Sequence, residues 1–125
     1  MKNTEHLRVG KLGEDIACRF LKGKGYSIMT RNYRKQYGEI DIVCKLRDKL
    51  EFVEVKTVTR ETASAGYRPE ENVHNKKLER LSKTIATYLF EYSYHAEWVF
   101  SVITVEIDEN TKRARIKHIH DIPLF

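Results

Sequence analysis

No stretch of this sequence approaches the roughly 20 consecutive apolar residues that a membrane-spanning helix needs. Its opening, MKNTEHLRVGKLGED, is polar where a secretory signal would need an apolar core, so a cytosolic protein is expected. Cysteine is scarce. The two present, Cys18 and Cys44, form no CxxC or other zinc-binding spacing, and both fall in apolar patterns. They read as buried free thiols. There is no internal repeat, low-complexity tract or interdomain linker. That leaves a single domain over residues 1–125, with room for one core.

What the sequence does have is charge. Charged residues make up 33% and hydrophobic residues 41% of the chain, an ordinary soluble mixture. Lysine and arginine number 23 against 18 acids, a net charge of +5 and a pI near 9.2. This balance permits a polyanionic partner without specifying one.

Periodicity supplies the elements. Residues 7–24 read as a helix, with Val9, Leu12, Gly13, Ile16 and Phe20 on one side and Ala17 and Leu21 extending the stripe. Gly23 and Gly25 stop it. Residues 26–34, 39–46 and 50–58 read as strands with short links, which predicts an antiparallel meander. Residues 59–75, with Gly66 and Pro69, form a long polar segment of the kind that is functional or mobile. A second helix follows over 75–92. Leu78, Leu81, Ile85, Tyr88, Leu89 and Tyr92 form its stripe, and Lys76, Arg80 and Lys83 lie opposite. Residues 97–107 and 113–120 are two more strands, the last at an edge. The order is αβββαββ.

Two of the strands carry acids inside apolar runs, GEIDIV over 38–43 and EFVEVKT over 51–57. Strand side chains alternate between faces. Ile40, Ile42, Cys44 and Leu46 should share one face of the second strand, and Glu39, Asp41, Val43 and Lys45 the other. In the third, Glu54 and Lys56 go with Phe52 and Val58, while Val53 and Val55 point away. A tight turn at 47–49 would bring Asp41 beside Glu54 and Lys56.

Two adjacent carboxylates raise each other's pKa and need neutralising. Lys56 supplies one charge; a divalent cation supplies two. Asp41, Glu54 and the carbonyl of Val55 form a hard-oxygen set suited to Mg²⁺ or Mn²⁺. A lysine beside such an ion can orient or deprotonate a water, or stabilise a developing charge. Those are the parts for phosphodiester hydrolysis. The same residues also fit a cross-strand ion pair on a solvated face, worth roughly 0.2–1 kcal/mol. Glu14 falls at the edge of the first helix's apolar stripe, where it can reach over the sheet. An ordinary boundary glutamate paired with Lys11 or Arg19 would look the same.

Taken in order, GKLGEDIACRFLKGKGY, RNYRKQYGEIDIV, EFVEVKT and GYRPEENVHNKKLERLSKTIATYL resemble the YraN, or UPF0102, family. That family resembles the archaeal Holliday junction resolvases of the PD-(D/E)xK superfamily. The resemblance implies an α/β restriction-endonuclease-like core, αβββαβ, with a mixed central sheet flanked by helices. Carried over by position, the helix acid is Glu14, the metal-binding aspartate is Asp41, and the (D/E)xK pair is Glu54 and Lys56. Lys77 falls where the family tends to carry a lysine. Glu39 belongs to the GEID block and is expected to shape the site. The chain departs from the pattern at Val58, where relatives often place an arginine; here the arginine is Arg60.

The expected function is a Mg²⁺- or Mn²⁺-dependent endonuclease acting on structured or branched DNA. The alternative is a nucleic-acid-binding module that keeps the fold without turnover; a protein-interaction adaptor is a third class. Phosphate contacts are expected from Arg34, Arg60, Lys76, Lys77 and Arg80, with Arg31, Lys35 and Arg68 as further candidates. Tyr37 and Tyr67 read as loop packing rather than base-stacking groups. A homodimer is expected because a four-way junction has paired scissile sites. His118 and His120 read as same-face strand residues and not as a metal pair.

Overall fold

A computed structural model describes residues 4–61 and 75–124. Most of the 59–75 segment, including Gly66, Tyr67, Arg68, Pro69 and His74, lies outside the described residues. The elements are α1 (Thr4–Gly23), β1 (Ser27–Lys35), β2 (Gly38–Leu46), β3 (Lys49–Thr59), α2 (Asn75–Glu91), β4 (Trp98–Asp108) and β5 (Arg113–Ile119). Among the described residues no helix is long and apolar enough to cross a membrane.

The strands form one sheet in the order β1-β2-β3-β4-β5. β1, β2 and β3 are the antiparallel meander. β3 and β4 are parallel, and β4 and β5 antiparallel. A parallel pair needs a crossover, and α2 lies in the chain between β3 and β4. The result is a mixed α/β fold with the αβββαβ order of a restriction-endonuclease-like core and β5 added at the edge.

The sheet splits the core into two layers. On one face α1 covers Ile42, Cys44, Val53, Ile103, Val105 and Ile107. On the other α2 covers Tyr33, Val43, Leu50, Phe52, Phe100 and Val102. Fully burying such side chains contributes about 1.5–3 kcal/mol each. Cys18 and Cys44 are buried and free.

Three details differ from the sequence reading. The most deeply buried line of α1 is Val9, Gly13, Ala17, Cys18 and Leu21, with Leu12, Ile16 and Phe20 only partly buried beside it. Tyr92 lies past the end of α2 and is exposed. Ile40 packs in the α2 layer with Val43, whereas Ile42 packs under α1. Strict alternation is therefore lost around Asp41, where β2 leaves its partner.

Two glycines let the helices close onto this region. A Cβ on Gly13 would lie 1.8 Å from Thr57 Oγ1, so α1 rests directly on β3. A Cβ on Gly38 would meet Thr84 Oγ1 of α2 at 2.9 Å. Both glycines serve close approach, and larger residues there would push the helices away.

Candidate active site

The β2–β3 ladder runs from Leu46↔Lys49 to Ile42↔Val53 and then stops. One step further Asp41 comes beside Glu54. Here the Val55 N–H donates to Asp41 Oδ2 at 2.7 Å. The side chain satisfies a backbone donor where the ladder has ended. It also fixes the carboxylate against β3. Phe52 lies in the α2 layer and Val53 and Val55 in the α1 layer, as alternation requires. Glu54, with 6% of its surface exposed, meets Lys56 Nζ through Oε2 at 3.3 Å. The Lys77 ammonium, from the first turn of α2, lies directly against the same oxygen.

Burial first, and then the Glu54 charge, push the Asp41 carboxyl up to about 8. Burial also acts to raise Glu54, but Lys77 and then Lys56 outweigh it and hold Glu54 below the usual carboxylate range. The two carboxyls are thus pushed apart, Asp41 toward its neutral form and Glu54 toward its charged form. Burial, then the neighbouring Lys77, lower the Lys56 ammonium from its ordinary value. Burial opposes the charge on Lys77 as well, yet its bond to Glu54 leaves that pKa raised. A half-buried lysine of lowered pKa beside two carboxyls is suited to proton exchange.

α1 delivers Glu14 to the same place. Burial raises its pKa, with Arg31 opposing from 3.8 Å. Arg31 binds more closely to Asp15, at 2.8 Å. With its amide nitrogen turned toward the acids, Asn32 donates to both Glu14 Oε1 and Glu39 Oε1 at 3.1 Å. Asn32 has φ 53°, a left-handed conformation that asparagine tolerates better than most residues. It ties the helix acid to the GEID block.

Glu14, Glu39, Asp41, Glu54, Val55, Lys56 and Lys77 all line one open cleft. The fold thus brings together Glu14, Asp41, Glu54, Val55 and Lys56, which are far apart in sequence. Of the expected phosphate contacts, Lys77 and Arg60 line the cleft. Arg60 is paired with Asp108 at 3.1 Å. Arg34, Lys76 and Arg80 are not among the lining residues; Arg34 pairs with Glu39 at 3.0 Å, and Lys76 and Arg80 are exposed on α2. Tyr37 is exposed rather than packed, its hydroxyl 3.3 Å from Thr87 Oγ1. Sequence reasoning missed Asn32 and the contact of Lys77 with Glu54. The first had a signal in its position seven residues before Glu39; the second needed the placement of α2.

Among the described residues the lining also holds Glu5, Glu61, Asp108 and Glu109, so its carboxylates outnumber Lys56, Arg60 and Lys77. A phosphate entering this cleft meets more lining carboxylates than lining cations among the described residues. Asp41, Glu54 and the Val55 carbonyl offer the oxygen donors that a hard divalent cation prefers, and their excess negative charge is what such an ion would offset. The residues present fit Mg²⁺ or Mn²⁺.

Comparison with known proteins agrees with the family resemblance. The family model described as "Uncharacterised protein family UPF0102" matches residues 13–105. A UPF0102 protein of Campylobacter jejuni is 37% identical over 99 residues, covering 79% of this chain and 84% of that protein. One from Syntrophomonas wolfei is 37% identical over 112 residues, covering 89% and 93%. One from Christiangramia forsetii is 37% identical over 118 residues, covering 94% and 95%. The chain belongs to the UPF0102 family.

Proposed function

We propose that this member of the family is a metal-dependent endonuclease that hydrolyses phosphodiester bonds in structured or branched DNA in the cytoplasm. The observation that carries the reading is the meeting of Asp41, Glu54 and Lys56 where β2 and β3 part, with Glu14 closing the pocket.

Asp41, Glu54 and the Val55 carbonyl would hold Mg²⁺ or Mn²⁺, which supplies Lewis-acid polarisation of the phosphate and makes water more acidic. The Asp41–Val55 bond keeps the first acid oriented before substrate arrives. Lys56, less basic than an ordinary lysine, would in its neutral form accept a proton from the attacking water. The water oxygen bonds to phosphorus, the bond from phosphorus to the leaving deoxyribose oxygen breaks, and solvent returns a proton to that oxygen. Glu14, held through Asn32, completes the acidic wall. Two chains acting together would suit a four-way junction.

Lys77 favours a second reading. With Lys56 it neutralises Glu54 without any added ion, as a binding module without turnover would require. One experiment separates the two. Purified protein with Mg²⁺ or Mn²⁺ should nick branched DNA, and Lys56→Ala should abolish nicking while sparing binding. No product from the intact protein, with binding unaffected by metal, supports the module.

A further inference from the structure

A second cluster of ligating groups lies on the α1 face of the sheet, away from the cleft. Glu51 is on β3, three residues from Glu54 but on the opposite face. It is a buried acid, 5% exposed. β5 brings His118 across β4 to meet it, Nε2 to Glu51 Oε2 at 2.5 Å. His120, just beyond β5, turns Nδ1 toward the same oxygen at 3.7 Å. Ligand atoms of all three residues lie within 4.8 Å of one another.

We infer that Glu51, His118 and His120 form a binding site for Zn²⁺ or a similar late first-row divalent ion. Metal bonds of about 2.0–2.2 Å in tetrahedral array set neighbouring ligand atoms roughly 3.3–3.6 Å apart. His120 Nδ1, 3.7 Å from Glu51 Oε2, is already close to that range, and an ion would part His118 Nε2 from the same oxygen, now at 2.5 Å, by about 1 Å. Two imidazoles with one carboxylate are borderline nitrogen-rich donors that select zinc-like ions over Mg²⁺. The cleft, all oxygen, selects the reverse. The two sites therefore differ in the ion they take.

The surroundings are built for this. Tyr26 donates its hydroxyl to Glu51 Oε1 at 3.0 Å, leaving Oε2 for the histidines. Phe20 and Tyr26 set their edges against the His118 ring, fixing its orientation. Such outer contacts hold metal ligands in place. The two imidazole rings lie close together, centroids 3.6 Å apart and tilted 37° to each other. The His118 side chain is 9% exposed and that of His120 is 57% exposed, so the site has a buried wall and an open side. The open side is an entry path and leaves a coordination position for water. The ion would pin the end of β5 to β3 across the intervening strand.

The test uses the metal-stripped full-length chain carrying Asp41→Asn, so that the cleft does not contribute. Titration with Zn²⁺ should show one ion bound per chain. Co²⁺ should give the intense visible d–d bands of a four-coordinate nitrogen and oxygen site. Adding His120→Ala, at an exposed position that leaves the fold intact, should weaken Zn²⁺ binding by at least about 10- to 100-fold and remove those bands. Glu51→Gln should do the same. A chain that binds no Zn²⁺, or that binds it equally well without His120, overturns the inference.

Discussion

The Val55 N–H donates to Asp41 Oδ2 at 2.7 Å, so the first acid of the cleft is anchored to the backbone directly between Glu54 and Lys56. Any shift of β2 relative to β3 would move Asp41, and with it the separation of the two acids.

Burying Asp41 beside Glu54 has a thermodynamic cost in the absence of metal, which the Val55 bond only partly offsets. An acid whose folded pKa lies above its unfolded value binds more protons when folded, so stability falls as pH rises between the two values. For Asp41 the window runs from 3.8 to about 8. Glu54 acts oppositely: its stabilisation is present above its ordinary 4.5 and is lost as pH falls below it. Denaturant unfolding in chelator should therefore show stability declining from mildly acid pH toward pH 8. Asp41→Asn should remove most of that decline and raise stability near neutrality by about 0.5–2 kcal/mol, while abolishing nicking.

The two lysines should separate. Lys77 lies directly against Glu54 as a competing cation, so Lys77→Ala should tighten Mn²⁺ binding at the cleft. Lys56→Ala should leave DNA binding intact and remove turnover. A Mn²⁺ titration beside a nicking assay reads both. Equal effects of the two substitutions on both assays would show that the lysines share one role.

The cleft's acidity makes a prediction about DNA. In chelator, binding should be weak, because the phosphates meet more carboxylates than cations. Added Mg²⁺ should strengthen it. Asp108→Asn, which frees Arg60 from its ion pair, should strengthen it further. Fluorescence anisotropy with branched DNA measures each step.

Gly13 should be intolerant of substitution. Gly13→Ala places a methyl into Thr57 and should cost roughly 1–3 kcal/mol by overpacking. It should also lower nicking, since α1 carries Glu14. Thr57→Gly in the same chain should recover part of the loss, which a double-mutant cycle detects as favourable coupling.

Much of this was legible in the sequence because it follows from period. The αβββαββ order and the faces of β3 come directly from alternation and 3.6-residue spacing. Residues governed by tertiary placement were not legible. Ile40 crosses to the α2 layer because β2 leaves β3 after Ile42, which no alternation rule anticipates. Lys77 reaches Glu54 only once α2 is placed over the sheet. His118 and His120 have i, i+2 spacing on or beside a strand, but Glu51 becomes their neighbour only through the order β3-β4-β5. Glu14 was legible from its place at the edge of the apolar stripe together with motif resemblance, while the close approach of α1 to β3 comes from Gly13.

The most direct test of the cleft is a Mn²⁺-soaked crystal of the wild-type protein. The account predicts an anomalous peak within coordination distance of the Asp41 and Glu54 carboxylates and the Val55 carbonyl. Clean data with no peak there, even if one appears beside Glu51, would contradict it.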